Sequence, residues 1–170
     1  MKNYILSAIA VATVLTSCST VQSIVQNTFP YTTNVLISSG VPANQEISTV
    51  SAATSLAQSV GASNTMVKDI RISSANISTI TPSGQSLGNF KSMKVYVSGS
   101  NTEELLVASR NDIGDNVGDN VVLDPSTSQV LDRIVKGENM KVRVAYVLKS
   151  AATKDINLKI SLRFSSVPIN

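Results

Sequence analysis

The sequence contains no histidine, no tryptophan and only one cysteine in 170 residues. Histidine is the commonest general base, the usual partner of a nucleophilic serine and the commonest metal ligand, so its absence removes several catalytic designs at once. The sequence also lacks a Gly-rich phosphate loop, zinc-ligand spacing and a dinucleotide fingerprint. We therefore expect neither an enzyme nor a bound cofactor.

Two other sources of catalytic chemistry carry little weight. Serines are so frequent that a lysine near one of them says almost nothing about a Ser/Lys pair. Glu103 and Glu104 are adjacent, and successive side chains of a strand point to opposite faces, so they do not readily form a facing acid–base pair. An exposed strand edge explains them better, and a hydrolase is the last function class we consider.

Aromatic residues are scarce at 4%, and the formal net charge is only +3. A core with so few aromatics must consist mainly of Val, Ile and Leu, which favour strands. An apolar content of 42% over 170 residues fills one sizeable core but scarcely two, which predicts a single domain. The small net charge indicates no particular partner, and the aromatic residues that stack on nucleic acid bases are missing.

The most specific signal lies at the N-terminus. Lys2 precedes an apolar run from Tyr4 to Leu15, which is too short to span a bilayer as a mature helix and is typical of a secretory leader. The run ends in Leu15-Thr16-Ser17-Cys18, which resembles the lipobox of bacterial lipoproteins. The resemblance implies cleavage before Cys18, a diacylated thiol and usually an acylated new N-terminus. The alternative is an ordinary leader with an incidental cysteine.

The residue after Cys18 bears on the destination. The inner-membrane retention signal of lipoproteins has Asp where this chain has Ser19, so the resemblance implies the outer membrane. Residues 19–26 contain no acidic cluster of the kind that accompanies surface export in some lipoproteins, which favours a periplasm-facing position over the cell surface. The expected organisation is a signal peptide at 1–17, a lipidated tether at 18–31 and one domain at 32–170.

Two stretches near the C-terminus alternate with the period of a half-buried strand. Met140–Leu148 and Ile156–Phe164 each place an apolar residue at every second position. The connection Ser150–Asp155 is short enough for an antiparallel hairpin between them. Further short strands are predicted at Thr33–Ser38, Val67–Ser73, Ile77–Thr81, Phe90–Ser98 and Leu105–Ser109.

Helical content is expected to be small. The apolar residues of Pro42–Val60 approximate helical spacing, but the Ser and Thr content disfavours a helix, so helix and strand both stay open there. Pro125–Val135 predicts one short helix, since an apolar stripe follows a proline suited to the first turn and Gly137 suits the end. The expected fold is all-β and mainly antiparallel, a β-sandwich with one or two short helices. An open sheet with helices on one face is the alternative.

Charge is unevenly distributed in the C-terminal half. The segment Glu103–Asp132 is strongly acidic, and the segment from Arg133 onward is mainly basic. If the last two strands form a hairpin, its solvent face carries a basic interaction patch: Lys141, Arg143, Lys149, Lys159 and Arg163. The plain interpretation is a solvated sheet face. The alternative is a surface for anionic headgroups, lipopolysaccharide, cell-wall polymer or an acidic protein.

The segment 111–124, "NDIGDNVGDNVVLD", contains the tetrad Gly-Asp-Asn-Val twice. Its oxygen-rich composition suits calcium, but its spacing does not match the EF-hand loop and no Glu closes the set. Gly and Asn also tolerate the positive φ of tight turns. We therefore predict a surface loop and no metal, with Asp112, Asp115 and Asp119 as a weak candidate calcium site.

Three function classes follow. The first is a lipid-anchored structural or adaptor domain that holds a protein partner at the outer membrane. The second is a module that binds a lipid or glycan between or on its sheets, and the third is a hydrolase. The sequence favours the first, with the membrane and an envelope protein as partners and no nucleic acid.

Overall fold

The computed structural model describes residues 27–56 and 67–169. The predicted signal peptide, Cys18 and residues 19–26 of the predicted tether lie outside this part of the chain, as do residues 57–60 of the ambiguous segment. Among the described residues we find no helix that is long and apolar enough to cross a bilayer.

The described residues form eight antiparallel strands in one curled sheet, which confirms the all-β prediction. The strands are β1 (Asn27–Ile37), β2 (Glu46–Val50), β3 (Val67–Thr81), β4 (Phe90–Ser98), β5 (Leu105–Arg110), β6 (Asn120–Pro125), β7 (Lys141–Leu148) and β8 (Ile156–Pro168). They lie in the order β1-β8-β3-β6-β5-β4-β7-β2. A 3₁₀ turn at Leu87–Asn89 and one helical turn, α1 (Asp132–Val135), accompany them.

The alternation in the two C-terminal strands decides which face is buried. Every second residue of β8 from Ile156 to Phe164 is buried, and so is every second residue of β7 from Val142 to Leu148. Burying one Val, Leu or Ile side chain is worth about 1.5–3 kcal/mol. A slip of one residue would turn the whole apolar set to solvent, so the pattern holds each strand in its register.

β6 carries the sheet from one half to the other. Its first residues, Asn120–Leu123, pair with β3, whereas Asp124 and Pro125 pair with β5. Both halves contribute to one apolar core. On the far side, Thr49 Oγ1 of β2 donates to the Leu36 carbonyl oxygen of β1 over 3.0 Å, so the two outer strands approach each other. This curled arrangement is compatible with a sandwich.

The predicted C-terminal hairpin is wrong. β7 lies between β4 and β2, whereas β8 lies between β1 and β3. The connection 149–155 therefore crosses from one half of the sheet to the other. A period of two tells which side chains are buried but not which strand is the neighbour, and β7 and β8 both bury one face in the same core.

Several strand boundaries also differ from expectation. β1 begins at Asn27, inside the predicted tether, because Phe29 and Tyr31 continue the buried positions of Val35 and Ile37. The two strands predicted over 67–81 are one long strand, β3, which accommodates register shifts against β8. β2 makes residues 46–50 of the ambiguous segment a strand.

The region around β6 departs most from the prediction. Residues 120–124 are strand, not the predicted loop, because Val121 and Leu123 turn into the core. Pro125 ends β6 rather than opening a helix, and the predicted helix shrinks to α1. Leu131, Ile134 and Val135 are buried as the stripe predicts, but Val130 is exposed.

The antiparallel order places the connections at two ends. Odd-numbered strands run in one direction and even-numbered strands in the other. Four connections therefore share one end, which we name the loop end: 38–45, 82–89, 111–119 and 149–155. The start of β1, the end of β8 and the connections 99–104 and 126–140 share the opposite end, which we name the terminal end; residues 51–56, which follow β2, lie there too.

The assignment of β6 as a buried strand can be tested by a pair of neighbours. Leu123→Ala should lower the free energy of unfolding by about 2–5 kcal/mol, because it leaves a cavity where a buried side chain joins the two halves. Val122→Ala removes an exposed side chain from the same strand and should cost less than about 1 kcal/mol. Urea denaturation of both variants measures the difference; equal effects would contradict the assignment.

Candidate functional site

The loops of the loop end are connected through their backbones. Leu87 N donates to the Gly118 carbonyl oxygen over 2.9 Å, which joins the second loop to the third. Lys149 N donates to the Asn89 carbonyl oxygen over 2.8 Å, which joins the fourth loop to the second. Gly40 N likewise donates to the Ala152 carbonyl oxygen over 2.8 Å, so the first loop joins the fourth. The loop end is therefore one connected surface.

Asn89 adds a side-chain connection between two of these loops. Its Nδ2 donates to the Ser150 carbonyl oxygen over 3.0 Å. Its Oδ1 accepts from Ser150 N over 3.0 Å and from Ser150 Oγ over 2.6 Å. The amide thus fixes the start of the connection that crosses from β7 to β8.

The loop with the repeated tetrad directs its carbonyl groups into the protein. The carbonyl oxygens of Val117, Gly118 and Asp119 accept hydrogen bonds from Ser86 Oγ at 2.5 Å, Leu87 N at 2.9 Å and Thr79 N at 2.9 Å. A calcium ion would use oxygens of this kind as ligands. Here they already hold the loop against the connection 82–89 and the end of β3.

The carboxylates of the same loop are not gathered around a point. Asp115 Oδ1 lies 2.5 Å from Lys149 Nζ, which also donates to the Ile113 carbonyl oxygen over 2.6 Å. Asp112 and Asp119 are exposed. No group of three or more His, Cys, Asp or Glu side chains that could hold a metal ion occurs within residues 27–56 and 67–169. The structure therefore does not bring the side chains of Asp112, Asp115 and Asp119 together in one cluster.

The glycines of the repeated tetrad do not have the role that turn chemistry suggests. No residue of 111–119 has a positive φ, and a Cβ added at Gly114 or Gly118 would meet no atom within 4 Å. At the loop end, a glycine is sterically required at Gly88, in the neighbouring loop. A Cβ there would overlap the carbonyl oxygen of Asp115, so only glycine lets the two loops approach this closely.

The residues predicted as one basic patch lie on different parts of the sheet. Lys159 and Arg163 are exposed on β8, whereas Lys141 and Arg143 belong to β7 in the other half. Lys149 follows β7 and pairs with Asp115. Since the hairpin that would have united them does not form, the structure does not bring the five side chains together on one hairpin face.

Arg143 is also neutralised by its surroundings. Its guanidinium donates to both carboxylate oxygens of Glu104, with Nε to Oε1 at 2.8 Å and Nη2 to Oε2 at 2.5 Å, and lies 4.1 Å from the centre of the Tyr96 ring. The hydrogen bonds from Arg143 lower the pKa of the Glu104 carboxyl, against the opposing effect of burial. Glu104 is thus a structural partner of Arg143, which gives it a role different from that of its neighbour Glu103.

Glu103 lines an open cleft at the terminal end. The cleft has a volume of about 360 Å³ between the β4–β5 connection and α1, and its wall includes Leu105, Val130 and Arg133. Glu103 and Glu104 thus belong to different surroundings, although both precede β5, which begins at Leu105, and are not strand residues, contrary to the prediction. The cleft does not bring together a pair of carboxylates.

Sequence reasoning misses the residues that hold the loop end together, namely Ser86, Gly88 and Asn89. They occupy "SGQSLGN" at 83–89, a run of turn residues that indicates a loop but not its partner. A serine and a glycine have no long-range pattern to reveal that they meet residues about thirty positions away. Their role follows only from the sheet order that places both connections at one end.

The close approach at Gly88 yields a stability prediction. Gly88→Ala should cost about 1–3 kcal/mol of unfolding free energy, because the new methyl group forces the backbone of 111–119 away from its hydrogen-bond partners. The matched control is Gly118→Ala in the facing loop, where the methyl group has room and the change should stay within about 0.5 kcal/mol. Thermal denaturation of both variants decides; a neutral Gly88→Ala would show that the two loops are not in contact.

Comparison with known proteins adds no family to this description. No family model matches the chain, and no curated protein matches its sequence. The function therefore has to be inferred from the N-terminal motif and from the geometry of the folded part.

Proposed function

We propose that the protein is a lipid-anchored envelope lipoprotein of the outer membrane that works as an adaptor. Cys18 carries the lipid, the curled sheet is a rigid spacer, and the loop end meets a protein partner. The anchor rests on the resemblance of Leu15-Thr16-Ser17-Cys18 to a lipobox. The periplasmic face of the outer membrane is the expected location.

The observation that carries this proposal is the separation of the two ends of the sheet. β1 starts at the terminal end, only nine residues after Cys18, and the four connected loops lie at the opposite end. An 11-residue strand rises about 36 Å at about 3.3 Å per residue. A chain attached to a membrane through Cys18 would therefore present its loop end away from the lipid.

The rigidity of the loop end supports an adaptor role. A surface whose loops are already hydrogen-bonded to one another loses little conformational entropy when it binds, which favours recognition of a folded partner. Inside the sheet, buried side chains from both halves form one apolar core. A lipid carrier would instead need a large apolar cavity between the sheet halves, so this arrangement favours an adaptor over lipid capture.

Glycan binding on the sheet surface is the second candidate. Thr32, Ser161 and Asn76 form a cross-strand row of short polar side chains on β1, β8 and β3. They line an open cleft of about 240 Å³ beside Arg163, and the buried Oδ1 of Asn76 has no hydrogen-bond partner among the described residues. Hydroxyl groups of a sugar are suitable partners for such a row.

The anchor can be tested through processing. Cys18→Ala should abolish incorporation of radiolabelled palmitate and leave the leader attached, because the acylated thiol and the cleavage site are lost together. Globomycin should also leave the leader attached in the unchanged chain, but on a precursor that has incorporated palmitate. Thr20→Ala is the matched control that should mature normally. If Cys18→Ala still matures into a membrane-bound form, the anchor is wrong.

The adaptor role can be tested by placing a photo-crosslinking residue at each end of the sheet. Asn116 is exposed at the loop end, and Ala53 is exposed at the terminal end, so the two positions form a matched pair. In intact cells the probe at position 116 should give a discrete crosslinked protein band and the probe at 53 should not. Bands of equal intensity from both positions, or a band at 53 alone, would refute presentation of the loop end.

A further inference from the structure

The pairing between β5 and β6 stops early and leaves a gap. The two strands share only the residue pairs Ala108–Pro125 and Ser109–Asp124, whereas β6 continues along β3 as far as Asn120. Beyond these pairs the chain after β5 stays with β4, since Ile113 N donates to the Lys91 carbonyl oxygen over 3.2 Å. β5 and β6 therefore diverge toward the loop end.

The gap is an open cleft, which we name the notch. It has a volume of about 200 Å³, and its lining includes Arg110, Ile113, Val117, Asn120 and Val122. Val122 is 68% exposed, the highest value among the exposed large hydrophobic residues described. Ile113 is buried and Val117 is half-buried, so apolar groups line its inner side. The notch thus combines an apolar inner side with the exposed polar residues Arg110, Asp112 and Asn120.

The hydrogen-bond register shows what else faces the notch. Thr79 N donates to the Asp119 carbonyl oxygen, so these two residues form a hydrogen-bonded pair of the antiparallel ladder. Hydrogen-bonded and non-hydrogen-bonded pairs alternate along such a ladder, so Ser78–Asn120 and Asn76–Val122 are pairs that do not exchange backbone hydrogen bonds. The N–H and C=O groups of Asn120 and Val122 therefore point away from β3. On that side β5 has already diverged, so these groups form a short free strand edge.

Backbone groups two residues apart along a strand are about 6.8 Å from each other. Another extended chain presents complementary donors and acceptors at this spacing, as in the addition of a strand to an exposed sheet edge. Because the pairs with β5 close one end and the loop 111–119 closes the other, the space suits only a short stretch. An aliphatic side chain of that stretch would lie beside Val122.

We propose that the notch binds a short extended peptide segment of a partner protein, which pairs with Asn120 and Val122 and places an aliphatic side chain next to Val122. This site deepens the proposed adaptor function by naming the chemistry that its partner would present, and it rests on that function for its biological context. It lies toward the loop end, where the adaptor proposal places the partner. It needs neither a metal nor a charged recognition group.

The test uses two peptides on the purified, ¹⁵N-labelled full-length chain. The probe is the acetylated and amidated tetrapeptide Thr-Val-Thr-Val, and the control is the same peptide with methylated backbone nitrogens, which cannot donate hydrogen bonds. The probe should shift the amide resonances of Asn120 and Val122 and saturate at about millimolar concentration. The methylated peptide should bind at least roughly tenfold more weakly, since it loses the strand hydrogen bonds.

Two variants complete the experiment. Val122→Asp should reduce binding of the probe at least roughly tenfold by removing the apolar contact. Val50→Asp changes a residue of similar exposure at the terminal end and should leave binding unchanged. Because the comparison of the two peptides is made on the unchanged chain, it stays decisive even if a variant fails to fold.

The proposal is overturned if the probe causes no saturable shift, if its shifts fall outside the notch, or if both peptides bind equally. The measurement involves no membrane, so such a failure leaves the Cys18 anchor untouched. Conversely, peptide binding together with normal maturation of Cys18→Ala would keep the notch and discard the anchor.

Discussion

The placement of β6 between β3 and β5 is the constraint on which the rest of the structure depends. This strand of six residues joins the two halves of the sheet through backbone hydrogen bonds, and only two of its residues reach β5. Its inward side chains, Val121 and Leu123, belong to the core that both halves share. Without β6 each half would present an additional free edge, and their inner faces would have no continuous sheet to hold them against each other. The fold therefore depends on a strand that the sequence patterns do not predict.

The divergence of β6 from β5 also explains the loop with the repeated tetrad. Residues 111–119 must cross the space between the end of β5 and the start of β6, and they do so by packing on the neighbouring connection 82–89. The backbone carbonyls of the loop are satisfied there, and the space for its approach comes from the missing side chain of Gly88. The polar composition of the tetrad thus suits a crossing that is exposed on one side and hydrogen-bonded to the neighbouring loop on the other. The same divergence opens the notch, so the loop and the notch are two consequences of one break in strand pairing.

The sequence predicts local structure well where one face of a strand is buried and poorly where distant pairing decides. Phe90–Ser98 is predicted with the observed bounds, and the buried positions of β7 and β8 follow from alternation alone.

The predicted hairpin between β7 and β8 is wrong because a connection of the length of 149–155 can either turn back or cross the core. Only the competition among all strands for neighbours selects between these two paths. β6 is missed because Gly, Asp and Asn around it indicate a turn while its buried alternation spans only Val121 and Leu123. The site is missed for the same reason, since the contacts of Ser86, Gly88 and Asn89 depend on which connections share an end.

The sheet order also changes what a partner can recognise. Along the sequence an acidic segment precedes a basic one, which predicts two oppositely charged surfaces. In the folded chain members of the two segments meet each other, with Glu104 on Arg143 and Asp115 on Lys149. Such surface pairs add little stability, typically below about 1 kcal/mol each, but they neutralise Arg143 and Lys149, two of the five residues of the predicted basic patch. Charge at Arg143 and Lys149 is therefore a weaker recognition signal, whereas the backbone edge of β6 and the exposed side chain of Val122 are open to the peptide segment proposed for the notch. A partner selected by strand pairing is therefore a better match to this surface than one selected by charge.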